Sequence, residues 1–319
     1  MDQEELHRWT HPAVILVATD LNDLARLMPV AIEQARESVA RLILLHVLAT
    51  STVLSTDAAG LPYYNPACVL EFADKTLLPW CESARREGVA CDALVREGNP
   101  AQQVAAAARQ FQADRVLLGT RSRSKLSKLL LGSVAEQVLR SVNLPVMTVG
   151  PEAHLPVDKG GEQTVLHATT LRETSRPSAA LACQIAASRK QTLVLLHVLP
   201  PVDEMERRGT PGDSGAGVSS AARRELLNLV EETGIAGCPA VDPVVVHGNP
   251  AIEILATAED RHASLIVLGS THRSALENLA RDRTVYRVLA HARCPVLTLR
   301  EPLAKAAEPH HELAAALHG

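Results

Sequence analysis

Gly98-Asn99-Pro100-Ala101 and Gly248-Asn249-Pro250-Ala251 are the same four residues at an offset of 150. Leu118-Gly119 returns as Leu268-Gly269 and Pro145-Val146 as Pro295-Val296 at that offset, while Leu44-Leu45-His46-Val47 returns one residue out of step as Leu195-Leu196-His197-Val198. Matches in fixed order along the whole chain mark a tandem duplication, and 319 residues suit two domains of about 150 each. The copies read as residues 1–150 and 164–300, joined by a Pro-, Gly- and charge-rich linker over 151–163 and followed by a tail over 301–319.

Each Gly-Asn-Pro is a helix start: Asn99 can cap the free amides and Pro100 presets φ at the first helical position. Outward from it, short aliphatic runs at Ala13–Thr19, Arg41–Leu48, Ala90–Arg96, Arg115–Leu118 and Pro145–Val149 read as strands. Helical patterns over about 23–39, 66–87, 100–110 and 133–140 separate them. Strands that are apolar on both faces and alternate with helices predict an α/β class, a doubly wound parallel sheet in each copy, for which the order 3-2-1-4-5 is adopted. The last strands, Pro145–Val149 and Pro295–Leu299, are expected at sheet edges and against each other, because an unpaired apolar edge invites aggregation.

Composition narrows the function. Hydrophobic residues at 46% and charged residues at 21% provide for two aliphatic cores in an ordinary globular chain. Aromatics at 2% leave few platforms for base stacking, and a net charge of −4 offers no global attraction to nucleic acid or to an anionic membrane. Met1–Pro12 is polar and no apolar run approaches ~18 residues, so a cytoplasmic location is expected. The six cysteines (Cys68, Cys81, Cys91, Cys183, Cys238, Cys294) form no C-x-x-C and are expected to be reduced thiols.

In an open parallel sheet, ligands bind beyond the carboxyl ends of the strands where strand order reverses, here between strands one and four. Asp20 ends strand one and Gly119 ends strand four. The loop that follows carries Arg121, Ser122, Arg123, Lys125 and Lys128, and closes on Gly132-Ser133 at a helix start, where free amides and the helix dipole favour a phosphate. Each residue also has a plainer reading: Asp20 as a cap, Gly119 and Gly269 as turns, the cations as a solvated loop, and His46 and His197 as structural groups at the exit of strand two.

Taken together and in order, the Asp at the end of strand one, the Leu-His-Val of strand two, the glycine loop after strand four and the closing Pro-Val resemble the universal stress protein family, twice over. The resemblance implies a flavodoxin-like or adenine-nucleotide alpha-hydrolase-like fold, dimerisation, and either an ATP-binding or a non-binding class. It implies that Asp20 contacts the nucleoside, that Val47 lies against adenine, and that Gly119, Gly132 and Ser133 hold the phosphates, with Arg121 and Ser122 in the loop between. The ligand would be ATP or AMP, with any Mg²⁺ held through the phosphates. Ser122 departs from the family's glycine, and its Cβ restricts positive φ.

In the second copy Thr170 replaces Asp20, His272 replaces Ser122, and Asp282-Arg283 replaces Gly132-Ser133, so that copy is expected to serve as a structural, nucleotide-free partner in an intramolecular pseudo-dimer. Homodimers of the chain fit the same reading. The alternative is a ligand-independent interaction protein, or a binder of another small molecule. An enzyme is least supported: there is no P-loop, no G-x-G-x-x-G after a strand, and no nucleophile with a base, which leaves at most slow ATP hydrolysis.

Overall fold

A computed structural model describes residues 1–49, 66–120, 131–154, 162–201, 215–235, 240–270 and 281–301. A helix that the sequence reading missed, α1 (Gln3–Thr10), comes first; Asp2 caps it, its Oδ1 accepting the Glu5 amide at 2.7 Å. The first copy then runs β1 (Val14–Thr19), α2 (Leu24–Ser38), β2 (Arg41–Leu48), α3 (Pro66–Arg86), β3 (Cys91–Glu97), α4 (Pro100–Gln110), β4 (Arg115–Gly119), α5 (Ser133–Ser141) and β5 (Val146–Val149). The second runs β6 (Thr164–Ala168), a 3-10 turn at Glu173–Ser175, α6 (Arg176–Arg189), β7 (Thr192–Leu199), α7 (Gly215–Thr233), β8 (Val241–His247), α8 (Pro250–Asp260), β9 (Ala263–Ser270), α9 (Arg281–His291) and β10 (Val296–Arg300).

The repeated Gly-Asn-Pro-Ala works as its residues require. Asn99 accepts the Gln102 amide at 3.1 Å, and Asn249 accepts the Ala251 and Ile252 amides at 3.1 and 3.4 Å. Gly98 and Gly248 turn the chain into these helices at φ +131° and +155°, where a side chain would be strained.

All strands among the described residues join in one ten-stranded sheet of order β3-β2-β1-β4-β5-β10-β9-β6-β7-β8. Each half has the expected 3-2-1-4-5 order with parallel neighbours. The last strands meet, as expected, and pair antiparallel, which places them at the middle of the common sheet and leaves β3 and β8 at its ends. Their register is Val296 with Thr148, Leu297 with Met147 and Thr298 with Val146. With an offset of 150, Met147 and Leu297 are repeat equivalents, so each strand meets its own counterpart about a local twofold through that pair. At one end of the sheet, β8 carries Pro243, which a central strand would not tolerate.

Alternation along the strands builds two apolar layers, one on each face. Ile15 and Val17 enter one together with Met147 and Leu297; Val14 and Leu16 enter the other together with Val146 and Val296. Both layers therefore run across the seam between the copies. Polar contacts add to it: Arg300 Nη1 donates to Asn143 Oδ1 at 3.1 Å, and Arg189 Nη2 lies 2.8 Å from Glu37 Oε2.

The thiol expectation needs one correction. Cys81, Cys91 and Cys294 are free and buried, but Cys183 is disulfide-bonded, since the fold brings together cysteines whose spacing carries no signal. Among the described residues no helix is long and apolar enough to cross a membrane.

Because Met147 is fully buried at the centre of the seam, Met147→Ala should cost about 2–5 kcal/mol and lower the stability of both halves together. Urea denaturation followed by circular dichroism should show one transition at a lower midpoint. Two transitions with only one of them shifted would contradict a seam that couples the halves.

Candidate functional site

Strand order in the first half reverses between β1 and β4, and their carboxyl ends diverge there. A cleft of about 150 Å³ opens at this point. Asp20, Val47, Gly119 and Gly132, four residues singled out in the sequence, all line it. Its apolar wall comes from Leu45 and Val47 of β2, Leu118 of β4, Val104 of α4, and Val134, Ala135 and Val138 of α5, with Pro100 at the start of α4. Pro100 opens α4 after the Asn99 cap and Gly132 is the N-cap of α5, so residues at both helix N-termini line the cleft.

Asp20 is half-buried. Its Oδ1 accepts the Asn22 amide at 2.9 Å, which is the turn-capping role, while the residue still lines the cleft. Gly132 occupies the N-cap of α5 without a side-chain cap, and its amide donates to Thr120 O at 2.8 Å. Ser133 is the first residue of α5 and is exposed. Arg121 and Ser122, with Arg123, Lys125 and Lys128, lie outside the described residues. His46 and its repeat His197 brace the exits of strands one and six: each Nδ1 lies 2.9 Å from a carbonyl oxygen, of Thr19 and Thr169 respectively.

Sequence reasoning missed Asp23. It is 8% exposed, accepts the Thr19 hydroxyl at 2.5 Å, and lines the cleft. Its carboxylate lies directly over Gly119, where a Cβ would collide with Oδ2. Burial pushes the Asp23 carboxyl up from its ordinary range, against the Thr19 hydroxyl bond that holds it down. Gly119 is thus required by a packed carboxylate rather than by a bare turn. The signal that could have found Asp23 is Thr19, which recurs as Thr169 and in both copies accepts the amide two residues on.

The second half has a larger cleft, about 280 Å³, at the equivalent place. Thr170 lines it where Asp20 lines the first, and Leu196, Val198, Ile254 and Leu268 repeat the apolar wall. Here too a carboxylate covers the strand-four glycine, but it comes from another element: Glu301 follows β10, and a Cβ on Gly269 would collide with it. Glu301 is 6% exposed, its amide donates to Ser270 O at 2.9 Å, and its Oε1 accepts the Ser178 hydroxyl at 2.6 Å. Burial pushes its carboxyl up to about 7, while the Ser178 bond and nearby Arg172 oppose the shift. Helix α9 starts at Arg281, so Asp282 and Arg283 fall inside its first turn rather than flanking its start as Gly132 and Ser133 flank that of α5.

Comparison with known proteins bears on both halves. The model of the universal stress protein family matches residues 13–150 and again 162–300. Universal stress protein YxiE of Bacillus subtilis is 28% identical over 143 residues, which is 42% of this chain and 97% of that protein. A universal stress protein of Methanocaldococcus jannaschii is 33% identical over 81 residues, which is 25% of this chain and 45% of that one. Among solved structures, a universal stress protein from Archaeoglobus fulgidus superposes with a TM-score of 0.65 at 20% identity, covering 90% of this chain and 98% of the other, a likeness of fold. The chain belongs to the universal stress protein family, and carries the family's domain in two tandem copies.

Proposed function

We propose that this chain is a stress-response regulatory protein that binds one adenine nucleotide, ATP or AMP, in the first-half cleft, with the second half as a nucleotide-free structural partner. The observation that carries this reading is the convergence of Asp20, Val47, Gly119 and Gly132 on one cleft at the strand-order reversal, beside the N-terminus of α5. Asp20 supplies an acceptor for ribose hydroxyls, and the apolar wall around Val47 suits a purine face. The amides that open α5 suit phosphate oxygens. Gly132 leaves the backbone accessible there, and Ser133 adds an exposed hydroxyl. A Mg²⁺ ion would be held through the phosphates.

The second half lacks two of these parts. Thr170 offers no carboxylate, and Asp282 brings a negative charge into the first turn of α9.

Equilibrium dialysis should therefore return one equivalent of ATP per chain. Gly132→Asp with Ser133→Arg should abolish that binding, while Asp282→Gly with Arg283→Ser should leave the total unchanged, because Thr170 still stands in for Asp20. Two equivalents on the unaltered protein would refute the asymmetry, and none would favour a ligand-independent interaction protein.

Glu301 yields a pH prediction. A carboxyl raised from 4.5 to about 7 in the folded state holds a proton that the unfolded chain releases. Its contribution to stability is full below pH 4.5 and is lost as pH rises through about 7, by up to roughly 3 kcal/mol at 1.36 kcal/mol per unit. Glu301→Gln keeps an acceptor for Ser178 and removes the titration. Urea midpoints at pH 5 and pH 8 should accordingly lie closer together in the variant than in the parent; an unchanged difference would assign the dependence to other groups.

A further inference from the structure

A polar cavity of about 280 Å³ lies between the two halves, away from both clefts. The first half contributes the end of α1, α2 and the start of β4; the second contributes the end of α6 and Gln191. Arg115 stands in its wall and is only 2% exposed. Its Nη1 donates to Gln34 Oε1 and its Nη2 to the Trp9 carbonyl, both at 2.6 Å, and its buried Nε has no partner among the described residues. Among the described residues no carboxylate is bonded to it. A buried guanidinium held only by neutral acceptors is poorly compensated for the water it has lost.

The surrounding charges sharpen the point. Arg189 and His11 also line the cavity, and Arg189 is close enough to Arg115 to repel it. Burial first, then Arg189, lowers the Arg115 pKa to about 10, while Glu37 and Asp114 pull the other way. Glu37 is the carboxylate of the lining, and it is already engaged: Arg189 Nη2 lies 2.8 Å from its Oε2 and Gln34 Nε2 donates to the same oxygen at 3.1 Å. Asp114 is taken up by the amides of Ala13 and Val14, at 2.9 and 3.2 Å, with Arg8 at 4.0 Å. Glu33 is exposed and faces a smaller adjoining cavity; burial and the Glu37 charge push its carboxyl up, while Arg189 opposes the shift. The lining therefore carries one positive charge in excess, from Arg115, together with the hydroxyl groups of Thr10 and Ser188, which donate to the Leu6 and Ile185 carbonyls at 2.9 and 2.8 Å.

We propose that this inter-domain cavity is a binding site for a small oxyanion of the phosphate type, either free inorganic phosphate or the terminal group of a phosphate monoester. Arg115 supplies the uncompensated charge and Arg189, paired with Glu37, a second cation, while the Thr10 and Ser188 hydroxyls, one from each half, would exchange their bonds to the Leu6 and Ile185 carbonyls for the anion. Bound there, the anion bridges α1 and α6, which already pack together, and ties the two copies across their seam. The site is independent of the nucleotide reading: it shares no residue with the first-half cleft.

Calorimetric titration of the full chain with inorganic phosphate, at constant ionic strength set by chloride, tests this. One site is expected, with a thermal midpoint that rises with phosphate and not with chloride. Arg189→Gln should weaken binding by roughly tenfold or more, as the loss of a charged hydrogen bond does, and so should Ser188→Asp, which places a negative charge in the wall without touching the buried Arg115. Gly132→Asp with Ser133→Arg, which disables the first-half cleft, should leave phosphate binding intact. Glycerol 3-phosphate run in parallel separates the sources: equal affinity identifies a monoester, and binding of phosphate alone identifies the free ion. Absence of binding to the parent protein, full binding in both cavity variants, or loss of binding in the Gly132 and Ser133 variant would each overturn the proposal.

Discussion

The antiparallel pairing of β5 with β10 is the contact on which the rest of the molecule depends. A doubly wound sheet of order 3-2-1-4-5 ends on an apolar strand whose amides and carbonyls have no partner on one side. A second copy of the same strand, turned about a twofold, satisfies them. Register follows from symmetry, since Met147 can face its equivalent Leu297 only if Thr148 faces Val296 and Val146 faces Thr298. Duplication within one chain keeps that partner at hand and lets both apolar layers continue through the seam.

Once the seam exists, the two halves are free to diverge elsewhere. Both keep the strand-four glycine and both set a carboxylate on it, but Asp23 reaches Gly119 from the start of α2 whereas Glu301 reaches Gly269 from beyond β10. The same space is filled by unrelated parts of the chain. The requirement in common is therefore steric, a backbone position without a side chain beneath a packed acid. What distinguishes the first half is the half-buried Asp20 and the uncovered start of α5, and these are the features that can serve a ligand.

Local patterns proved legible wherever the physics is local. Aliphatic runs bounded by turn residues located the strands, Asn-Pro placed α4 and α8, and the repeat itself implied two equivalent sheets. α1 escaped because its face is polar apart from Leu6 and Trp9, too few apolar positions to show a period. Asp23 and Glu301 escaped because their importance comes from what lies across the cleft. Cys183 escaped because spacing along the chain says nothing about which cysteines the fold brings together.

By itself the sequence determined the duplication and the α/β class and singled out Asp20, Gly119 and Gly132 at the first-half cleft, with Val47 added by the family resemblance, since these rest on periodicity, on capping and on strand ends that lie near their sequence neighbours. Tertiary structure alone decided the antiparallel register in which the last strands pair and that carboxylates cover both strand-four glycines. It alone buried Arg115 between the halves with neutral acceptors, Gln34 and the Trp9 carbonyl, as its bonded partners among the described residues. Those outcomes depend on contacts between residues about 30 to 150 positions apart, whose pairing is set by how whole layers pack, and no local pattern encodes that.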